Sequence, residues 1–293
     1  MHSALSSAGP GDTIYLHAGT YTGQFRASNN GSAGNPIKIQ GEWREGVFLQ
    51  TGSTNKGSGT ALTITGDWWV VNHVTLQNSS KGVVLDGSNR TVLDYITVTN
   101  VGDEAVHFMR CSSDNELKWS LIQGTGKAQP GFGEGVYVGS SETKWGSDGY
   151  ACNGGMDQSN NNNIHHNTIR DTTAEGADLK EGTYGGRLTD NLFERTGTSG
   201  DTSADSAIDV KGNYWYVGHN TIGQPRGANV DGIQTHRIKT YSNDGNVIDA
   251  NTIWDYWSGY GIKVTNNAGN NVVTCSNQVP HMASSKLSNI GCS

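Results

Sequence analysis

Short segments in which every second residue is apolar recur through the chain and can be aligned with one another. They begin at Gly82, Ala105, Gly135, Gly176, Ala207, Gly232 and Gly261. The second and fourth positions of each segment are apolar, with Thr235 as the exception. Because side chains alternate between the two faces of a strand, these columns predict a row of strands that share one buried face.

A second motif lies between these segments and consists of an apolar residue, a polar residue (often Asn) and another apolar residue. It occurs at residues 71–74, 94–96, 118–122, 166–169, 190–193, 219–222 and 250–253. Asn at a repeated turn predicts a ladder of stacked amides. The irregular spacing favours a solenoid with loops of variable length over a leucine-rich repeat or a β-propeller, whose signatures are absent.

The two motifs together predict an all-β chain folded as a single-stranded, right-handed parallel β-helix of the pectate-lyase-like kind. We expect residues 1–293 to form one domain of this kind. Residues 2–8 are expected to be what remains of a short N-terminal capping helix, and the C-terminal tail is expected to close the last coil.

Composition narrows the functional classes. Only 33% of the residues are hydrophobic and 41 are glycine, and no stretch of about 18 apolar residues is present, which excludes a membrane-spanning helix. The formal net charge of −7 argues against a nucleic-acid partner. It leaves room for an anionic substrate, because a local basic cleft can oppose the net charge. We interpret the Met-His-Ser opening as following a removed export signal, as in a secreted protein.

The chain has four cysteines, Cys111, Cys152, Cys275 and Cys292. An even number fits an oxidising compartment, and three pairings are possible. We expect Cys275 to pair with Cys292 and to pin the tail over the open end of the helix. A bridge between Cys111 and Cys152 is a hypothesis, and four free buried thiols are the alternative. No Cys or His spacing predicts a zinc site.

The outward positions of the middle segments concentrate ionisable side chains, at His107, Arg110, Tyr137, Asp178, Lys180, Asp209, Lys211, His236 and Arg237. Adjacent strands lie about 4.8 Å apart, which makes Tyr137 and Lys180 diagonal neighbours. Lys180 and Lys211 are expected to stack, which would lower the pKa of one of them and make it a candidate general base. An ordinary solvated strand surface is the alternative, but the clustering in the middle segments favours a site.

The longest interval between aligned segments lies between the Tyr137 strand and the Lys180 strand. It contains residues 140–163, among them Lys144, Trp145 and Tyr150. Long loops in compact domains are often functional, and we expect this one to wall the cleft.

Two segments resemble a known family. The sequences EGVYVGSS (residues 134–141) and AEGADLKEGT (residues 174–183) resemble the β-helix alginate lyases of polysaccharide lyase family thirty-one, and the opening GDTIYLHAGTY resembles the first coil of secreted polysaccharide-acting β-helices. The resemblance implies β-elimination on an anionic uronate polymer by a tyrosine and a lysine, with alginate as the expected polymer. By motif position these are Tyr137 and Lys180, the pair that the columns select independently.

The ionisable residues of the outward face are assigned roles in proton transfer or in substrate binding. Tyr137 and Lys180 form the acid and base pair in an order left open, and Lys180 could lower the pKa of Tyr137 if one tyrosine serves both steps. The candidates for substrate binding are His107, Arg110, Lys211, Arg237, His236, Asp178 and Asp209. No metal is expected to be required, although Asp178, Asp209 and Glu181 could bind calcium.

Two rival functions remain open. A hydrolase of the polygalacturonase kind is suggested by residues 237–239 and by a stacked Asp178–Asp209 pair, although its NTD and GHG motifs are absent. A non-catalytic glycan-binding β-helix is the other, with candidate stacking residues Trp145, Trp215, Trp254, Trp257 and Tyr260. We expect the protein to act as a monomer, with no nucleic-acid or membrane partner.

Overall fold

Three parallel sheets, each receiving one strand from nearly every coil, make up the fold. The computed structural model describes residues 1–146, 152, 155–199, 204–223, 231–254, 259–265 and 268–293. Sheet A contains β1 Thr13–Leu16, β4 Ile37–Gly41, β7 Trp69–Asn72, β10 Val92–Asp94, β13 Glu116–Lys118, β16 Asn163–His165, β19 Arg187–Thr189, β22 Tyr216–Gly218, β25 Val247–Asp249 and β28 Val272–Val273. Sheet B contains β2 Gly19–Thr22, β5 Val47–Gln50, β8 Thr75–Ser79, β11 Thr97–Val101, β14 Leu121–Gln123, β17 Thr168–Arg170, β20 Leu192–Glu194, β23 Thr221–Gly223 and β26 Thr252–Ile253.

Sheet C carries the segments that the sequence aligns. It contains β3 Phe25–Ala27, β6 Thr60–Ile64, β9 Lys81–Asp86, β12 Val106–Met109, β15 Val136–Val138, β18 Ala177–Leu179, β21 Ser206–Val210, β24 Asp231–Thr235 and β27 Ile262–Val264. The order A, B, C repeats along the chain, and the paired strands are parallel. The predicted right-handed parallel β-helix is confirmed.

The core fills the space inside the three sheets. The second column of the aligned segments runs through Val106, Val136, Ala177, Ile208 and Ile233 in register, and each of these side chains is fully buried. Full burial of a Val, Leu or Ile side chain contributes about 1.5–3 kcal/mol. Repetition of this contribution in every coil holds the sheets together, and it fixes which strand face points outward.

An amide ladder runs along the corner between sheets A and B, as the repeated Asn predicts. The Nδ2 of each Asn donates to the Oδ1 of the next, in the order Asn167, Asn191, Asn220, Asn251 and Asn277, at 3.0–3.1 Å. These side chains are buried. The buried amide groups of the ladder therefore keep their hydrogen bonds only while every coil stays in register with the next.

Replacing Asn220 with alanine is expected to lower the free energy of unfolding by about 2–3 kcal/mol, because Asn191 loses its acceptor inside the protein. Urea denaturation measures the change. Asn55→Ala removes an exposed amide and is the control, expected to change stability by less than about 0.5 kcal/mol. Equal effects of the two substitutions would show that the ladder does not stabilise the coil.

Both ends of the chain pack on the coil. Helix α1, His2–Ser7, buries Leu5 near β3, and 3-10 turns lie at Pro130–Phe132, Glu142–Lys144 and Ser284–Lys286. Near the other end the Ser293 N–H donates to the Val273 carbonyl at 3.0 Å. The expected Cys275–Cys292 and Cys111–Cys152 disulfides are both confirmed. That residues 1–293 form one domain stays a prediction.

No helix among the described residues has the length and apolar character needed to cross a membrane.

Candidate active site on sheet C

The predicted outward column of sheet C is confirmed. His107 of β12 pairs with Tyr137 of β15, which pairs with Asp178 of β18, which pairs with Asp209 of β21. A cleft of about 650 Å³ lies over this column. Its lining includes Lys56, Lys81, Glu104, His107, Phe132, Glu134, Tyr137, Lys144, Glu175, Asp178, Lys180 and Lys211.

Tyr137 and Lys180 lie side by side on the floor of the cleft. The Lys180 Nζ is 5.5 Å from the centre of the Tyr137 ring, and the His107 ring meets the same tyrosine edge-on at 4.7 Å. Burial and the charges of Asp178 and Glu134 hold the pKa of Tyr137 well above its ordinary value. The expectation that this tyrosine has a lowered pKa is wrong for the protein without substrate, and its hydroxyl carries a proton there.

Lys211 does not present a free ammonium beside Lys180. Its Nζ is 2.8 Å from Asp178 Oδ1 and 2.9 Å from Asp209 Oδ2. Burial lowers the pKa of Lys211, but the charges of Asp178 and Asp209 outweigh burial and hold it well above its ordinary value. The expected lowering of a lysine pKa by stacking is therefore wrong for Lys211, because two carboxylates lie within 2.9 Å of its ammonium.

Lys180 keeps a looser environment. Its Nζ is 3.4 Å from Asp178 Oδ2 and 3.7 Å from Glu181 Oε2, and its side chain is largely buried. The ammonium is thus held near the tyrosine by longer ion pairs, which leaves room for it to reach a bound ligand.

His236 and Asp209 support Lys211 from the side of the next coil. The His236 Nδ1 lies 3.0 Å from Asp209 Oδ1. Burial raises the pKa of Asp209, but Lys211 and His236 lower it by more, and the result lies below the ordinary value. Burial lowers the pKa of His236, but the hydrogen bond to Asp209 raises it on balance. Neither Asp209 nor His236 lines the cleft, and both lie behind Lys211, which does. That they bind substrate stays a prediction.

His107 is a buried support for Tyr137. Its Nδ1 is 2.9 Å from Glu104 Oε1, and its Nε2 is 2.8 Å from the Gly139 carbonyl. Lys81 also forms an ion pair with Glu104. Burial raises the pKa of Glu104, but Lys81 and His107 lower it to about 2. The ring of His107 is therefore fixed on both sides, which orients the tyrosine next to it.

The two predicted carboxylate-binding arginines are not in the cleft. Arg110 forms an ion pair with Asp86 of the preceding coil, and its Nη2 donates to Asp86 Oδ2 at 2.6 Å. Arg110 has a φ of 53°, so the strand has ended and the alternation no longer sets the side-chain direction. Arg237 follows β24, is exposed, and does not line the cleft. Lys56, Lys81 and Lys144 supply positive charge in their place.

Sequence reasoning missed a buried acidic trio at the floor of the cleft. Carboxylate oxygens of Glu134, Glu175 and Asp178 lie within 4.8 Å of one another. Burial, followed by the charges of Glu104 and Asp178, raises the pKa of Glu134 to about 8. Burial and Asp178 raise the pKa of Glu175 well above its ordinary value. The available signal is that Glu104, Glu134 and Glu175 each directly precede an aligned segment.

The trio fits a hard cation. It offers three buried carboxylates whose oxygens lie close together, and carboxylate oxygens are the ligands that Mg²⁺ and Ca²⁺ prefer. A cation there would offset the burial and the repulsion that hold the pKa values of Glu134 and Glu175 above the ordinary value. This set differs from the predicted Asp178, Asp209 and Glu181, because neither Asp209 nor Glu181 lines the cleft.

The raised pKa of Glu134 predicts a pH-dependent stability. The unfolded carboxyl loses its proton near pH 4.5, whereas the folded one keeps it to about pH 8, so stability falls as the pH rises through this range. Glu134→Gln should flatten that fall, as measured by thermal unfolding between pH 5 and 8. An unchanged slope in this variant, with Glu42→Gln as the exposed control, would contradict the assignment.

The long loop walls the cleft through its first residues. Ser140, Ser141, Thr143 and Lys144 line it, and Trp145 Nε1 donates to the Ser140 carbonyl at 3.1 Å. The loop is tied back by Asp157, whose Oδ2 accepts from the Ser140 hydroxyl at 2.9 Å, and by the Cys111–Cys152 bridge. The prediction of a loop wall is confirmed for these residues, and Tyr150 lies outside the described part of the chain.

The proposed sugar-stacking tryptophans are not gathered in the cleft. Trp215 is fully buried in the core, and Trp254 packs on His281 with ring centres 4.8 Å apart. Trp257 lies outside the described residues. The aromatic side chain that does line the cleft and is exposed is Phe132.

Comparisons with known proteins place the chain in a family. A family model described as "Right handed beta helix region" matches residues 60–215, so the chain is a member of the right-handed β-helix class. The crystal structure of alginate lyase from Paenibacillus sp. str. FPU-7 is 32% identical, with a TM-score of 0.86, over 96% of this chain and 93% of that chain. The chain therefore belongs to the same family of β-helix polysaccharide lyases as that enzyme.

More distant structures share the fold alone. The pectate lyase Pel9A is 15% identical with a TM-score of 0.58, over 97% of this chain and 72% of that chain. A mannuronic acid specific polysaccharide family 6 lyase from human gut microbiota is 15% identical with a TM-score of 0.52, over 88% of this chain and 62% of that chain. A search of curated protein sequences finds no match.

Proposed function

We propose that this protein cleaves alginate by β-elimination and that Tyr137 and Lys180 carry the two proton transfers. The observation that supports this most directly is the placement of the Lys180 Nζ 5.5 Å from the Tyr137 ring, on the floor of a cleft lined by further lysines. The family relationship to an alginate lyase at 32% identity supports the substrate.

β-Elimination on a uronate makes three demands on a site. The proton next to the carboxyl group must be removed, the 4-linked oxygen must be protonated as it leaves, and the charge that develops on the carboxylate must be stabilised. The product carries a new carbon–carbon double bond, and no water is consumed.

Tyr137 and Lys180 meet the first two demands. Both reach the same part of the cleft from neighbouring coils, so one sugar ring contacts both. The Tyr137 hydroxyl holds a proton before substrate arrives, which suits protonation of the leaving oxygen. In that order Lys180 must first give up a proton to solvent, so that its neutral amine can remove the proton next to the carboxyl group. For the tyrosine to remove a proton instead, a positive charge brought close to it must first lower its pKa, and Lys180 would then protonate the leaving oxygen. Both orders use the same two groups.

The charge that develops on the uronate carboxylate would be stabilised by the lysines of the cleft and by a cation held at the acidic trio. Lys81 and Lys144 line the cleft and can attract the polymer. Glu134, Glu175 and Asp178 would hold a divalent cation, which when bound neutralises the uronate carboxylate. Lys211 fixes Asp178 in this arrangement through two contacts, at 2.8 and 2.9 Å.

Chelation tests the metal requirement. The sequence predicts turnover without a metal, and that prediction stays untested; the trio is the observation that argues against it. We expect dialysis against EDTA to lower the rate at least about tenfold and Mg²⁺ or Ca²⁺ to restore it, with Glu175→Gln insensitive to both. An EDTA-treated protein with full activity would establish metal-independent turnover.

A hydrolase mechanism is disfavoured by the state of its two carboxylates. Asp178 and Asp209 both bind the Lys211 ammonium within 2.9 Å, so neither is free to protonate a leaving oxygen. A cleft that only bound glycans would not require Tyr137 to be oriented by the buried His107 and Glu104.

The experiment that tests the function follows ultraviolet absorbance while the protein meets alginate, polymannuronate, polyguluronate and polygalacturonate in turn. Only elimination creates the absorbing unsaturated uronate, so a rise on alginate or one of its two homopolymers supports the proposal. No rise, together with new reducing ends, would replace it with hydrolysis, and no change in either would remove catalysis on these polymers.

We further propose that the protein works outside the cell as a monomer. The two disulfides fit an oxidising compartment. Size-exclusion chromatography with light scattering tests the monomer, and the fraction of activity in the culture medium tests export.

A further inference from the structure

A second hollow lies on the corner between sheets A and B. Each coil turns from sheet A to sheet B at this corner, and sheet C, which carries the cleft, takes no part in it. The hollow has a volume of about 620 Å³, and Arg44, Tyr95, Trp119, His166 and Arg170 are among its lining residues. The proposed reaction uses none of them.

In four successive coils, one aromatic side chain lies on the outer side of this corner. His73, Tyr95, Trp119 and His166 occupy the same turn position in successive coils, with φ between 51° and 56°. The exposed fractions of Trp119 and Tyr95 are 54% and 41%. Coils lie about 4.8 Å apart, so the rings form an exposed row along the helix axis.

The turn itself does not call for aromatic residues. Later coils place Asp190, His219 and Ala250 at the same position with φ of 52–58°. Left-handed backbone is unfavourable for bulky residues and better tolerated by Asn, Asp or Gly. Large exposed rings in the coils around the hollow therefore need a reason other than the backbone.

Contacts among these side chains form a platform. The Trp119 and His166 ring centres are 4.2 Å apart, those of His73 and Tyr95 are 5.1 Å apart, and the Arg44 guanidinium lies 4.2 Å from the centre of the Tyr95 ring. Rings held in this way lose little further conformational freedom when a flat ligand packs on them.

The arginines of the hollow each have an acidic neighbour outside its lining: Glu45 Oε1 is 2.9 Å from Arg44 Nε, and Asp171 Oδ2 is 3.9 Å from Arg170 Nε. Arg44 and Arg170 both line it, and no acidic residue does so in the part of the chain that the structure describes. Each arginine is fixed through its Nε, Arg44 to Glu45 and Arg170 to Gln123, both at 2.9 Å. Among the described residues, their Nη nitrogens form no hydrogen bond. Two anchored guanidinium groups with open ends are suited to binding carboxylates.

We propose that this corner is a second binding site for an anionic polysaccharide, in which Tyr95 and Trp119 pack on sugar rings while Arg44 and Arg170 bind carboxylates. The identity of the polymer as a polyuronate rests on the proposed function. Because the corner and the cleft lie on different sides of the coil, a long chain held at the corner keeps the enzyme on the polymer while the cleft is empty.

The test measures binding apart from catalysis. Native electrophoresis through gels containing alginate compares Lys180→Ala with Lys180→Ala/Trp119→Asn, because Asn tolerates the left-handed turn. We expect retardation by alginate to weaken about fivefold, as for the loss of one stacking platform. Arg170→Gln in the same background is expected to weaken it as well, and it leaves the backbone untouched.

Tyr214→Asn is the matched control. Tyr214 is also exposed, also has a left-handed φ of 54°, and also packs on a neighbouring ring, that of Tyr184 at 5.0 Å, but it lies outside the hollow. Equal retardation of Trp119→Asn, Arg170→Gln and Tyr214→Asn would overturn the proposal. A lower Tm of Trp119→Asn with unchanged retardation would assign the ring to stability alone and overturn it too.

The outcome of this binding test can be distinguished from the outcome of the activity test of the proposed function. If the wild-type protein cuts alginate but retardation does not depend on Trp119 or Arg170, the second site fails and the lyase stands. If alginate is not cut but retardation depends on both residues, the second site stands and the lyase fails.

Discussion

Replacing Lys180 with alanine is expected to lower turnover of alginate by about a hundred- to ten-thousandfold while the protein stays folded. The ammonium is one of two groups placed to move protons, and removal of a positioned acid or base costs about this much. Tyr137→Phe, which removes only the hydroxyl, should have an effect of similar size. The rate of increase in ultraviolet absorbance measures both.

Lys263→Ala is the control for Lys180. Lys263 stands on β27 in the neighbouring outward column, that of Asp178 and Asp209, but it is half-exposed, lies 3.7 Å from Asp231, and does not line the cleft. Its loss should change the rate by less than about twofold. A Lys180→Ala protein with wild-type activity would contradict the catalytic role of Lys180. A similar loss of activity in both variants would show that the rate depends on the positive charge of sheet C and not on Lys180 in particular.

Replacing Lys211 with methionine is expected to lower the free energy of unfolding by about 3–5 kcal/mol at neutral pH. The substitution leaves Asp178 and Asp209, both buried, without the cation that lies within 2.9 Å of each. Because the folded pKa of Lys211 is raised, the stabilisation it provides is complete below the unfolded pKa of lysine. It is lost only as the pH rises through the folded pKa, so neutral pH shows its full size. Urea denaturation measures the difference.

The pH dependence of that difference is a further check. Lys211 lowers the pKa of Asp209 in the wild type, so in the variant the Asp209 carboxyl takes up a proton more readily as the pH falls, which removes the repulsion left by the missing cation. The stability gap between Lys211→Met and the wild type should therefore narrow toward acid pH. Lys263→Met should cost less than about 1 kcal/mol at any of these pH values, and a Lys211→Met effect that small would show that the buried pair does not depend on this cation.

The β-helix fold is what brings the acidic trio, and Lys211 with its two carboxylate partners, together in one site. Every coil adds one outward residue at a fixed spacing, so side chains far apart in sequence become neighbours without any special loop. The same regularity stacks Asp178 on Asp209 and places the Lys211 ammonium within 2.9 Å of both, which allows buried charges that would be too costly alone.

The sequence by itself determined the coil, the inward and outward faces of sheet C and the pairing of Tyr137 with Lys180, because alternation and register are local properties that repeat. It also predicted the Asn ladder and the Cys275–Cys292 disulfide, and it left the Cys111–Cys152 bridge as a hypothesis. It could not determine where Arg110 and Arg237 point, because both lie past the end of a strand, where alternation no longer applies. Nor could it determine the charge states of Tyr137, Lys211 and Glu134, which depend on burial and on partners from other coils. Those features, and the hollow at the corner between sheets A and B, were decided by the stacking of coils in three dimensions.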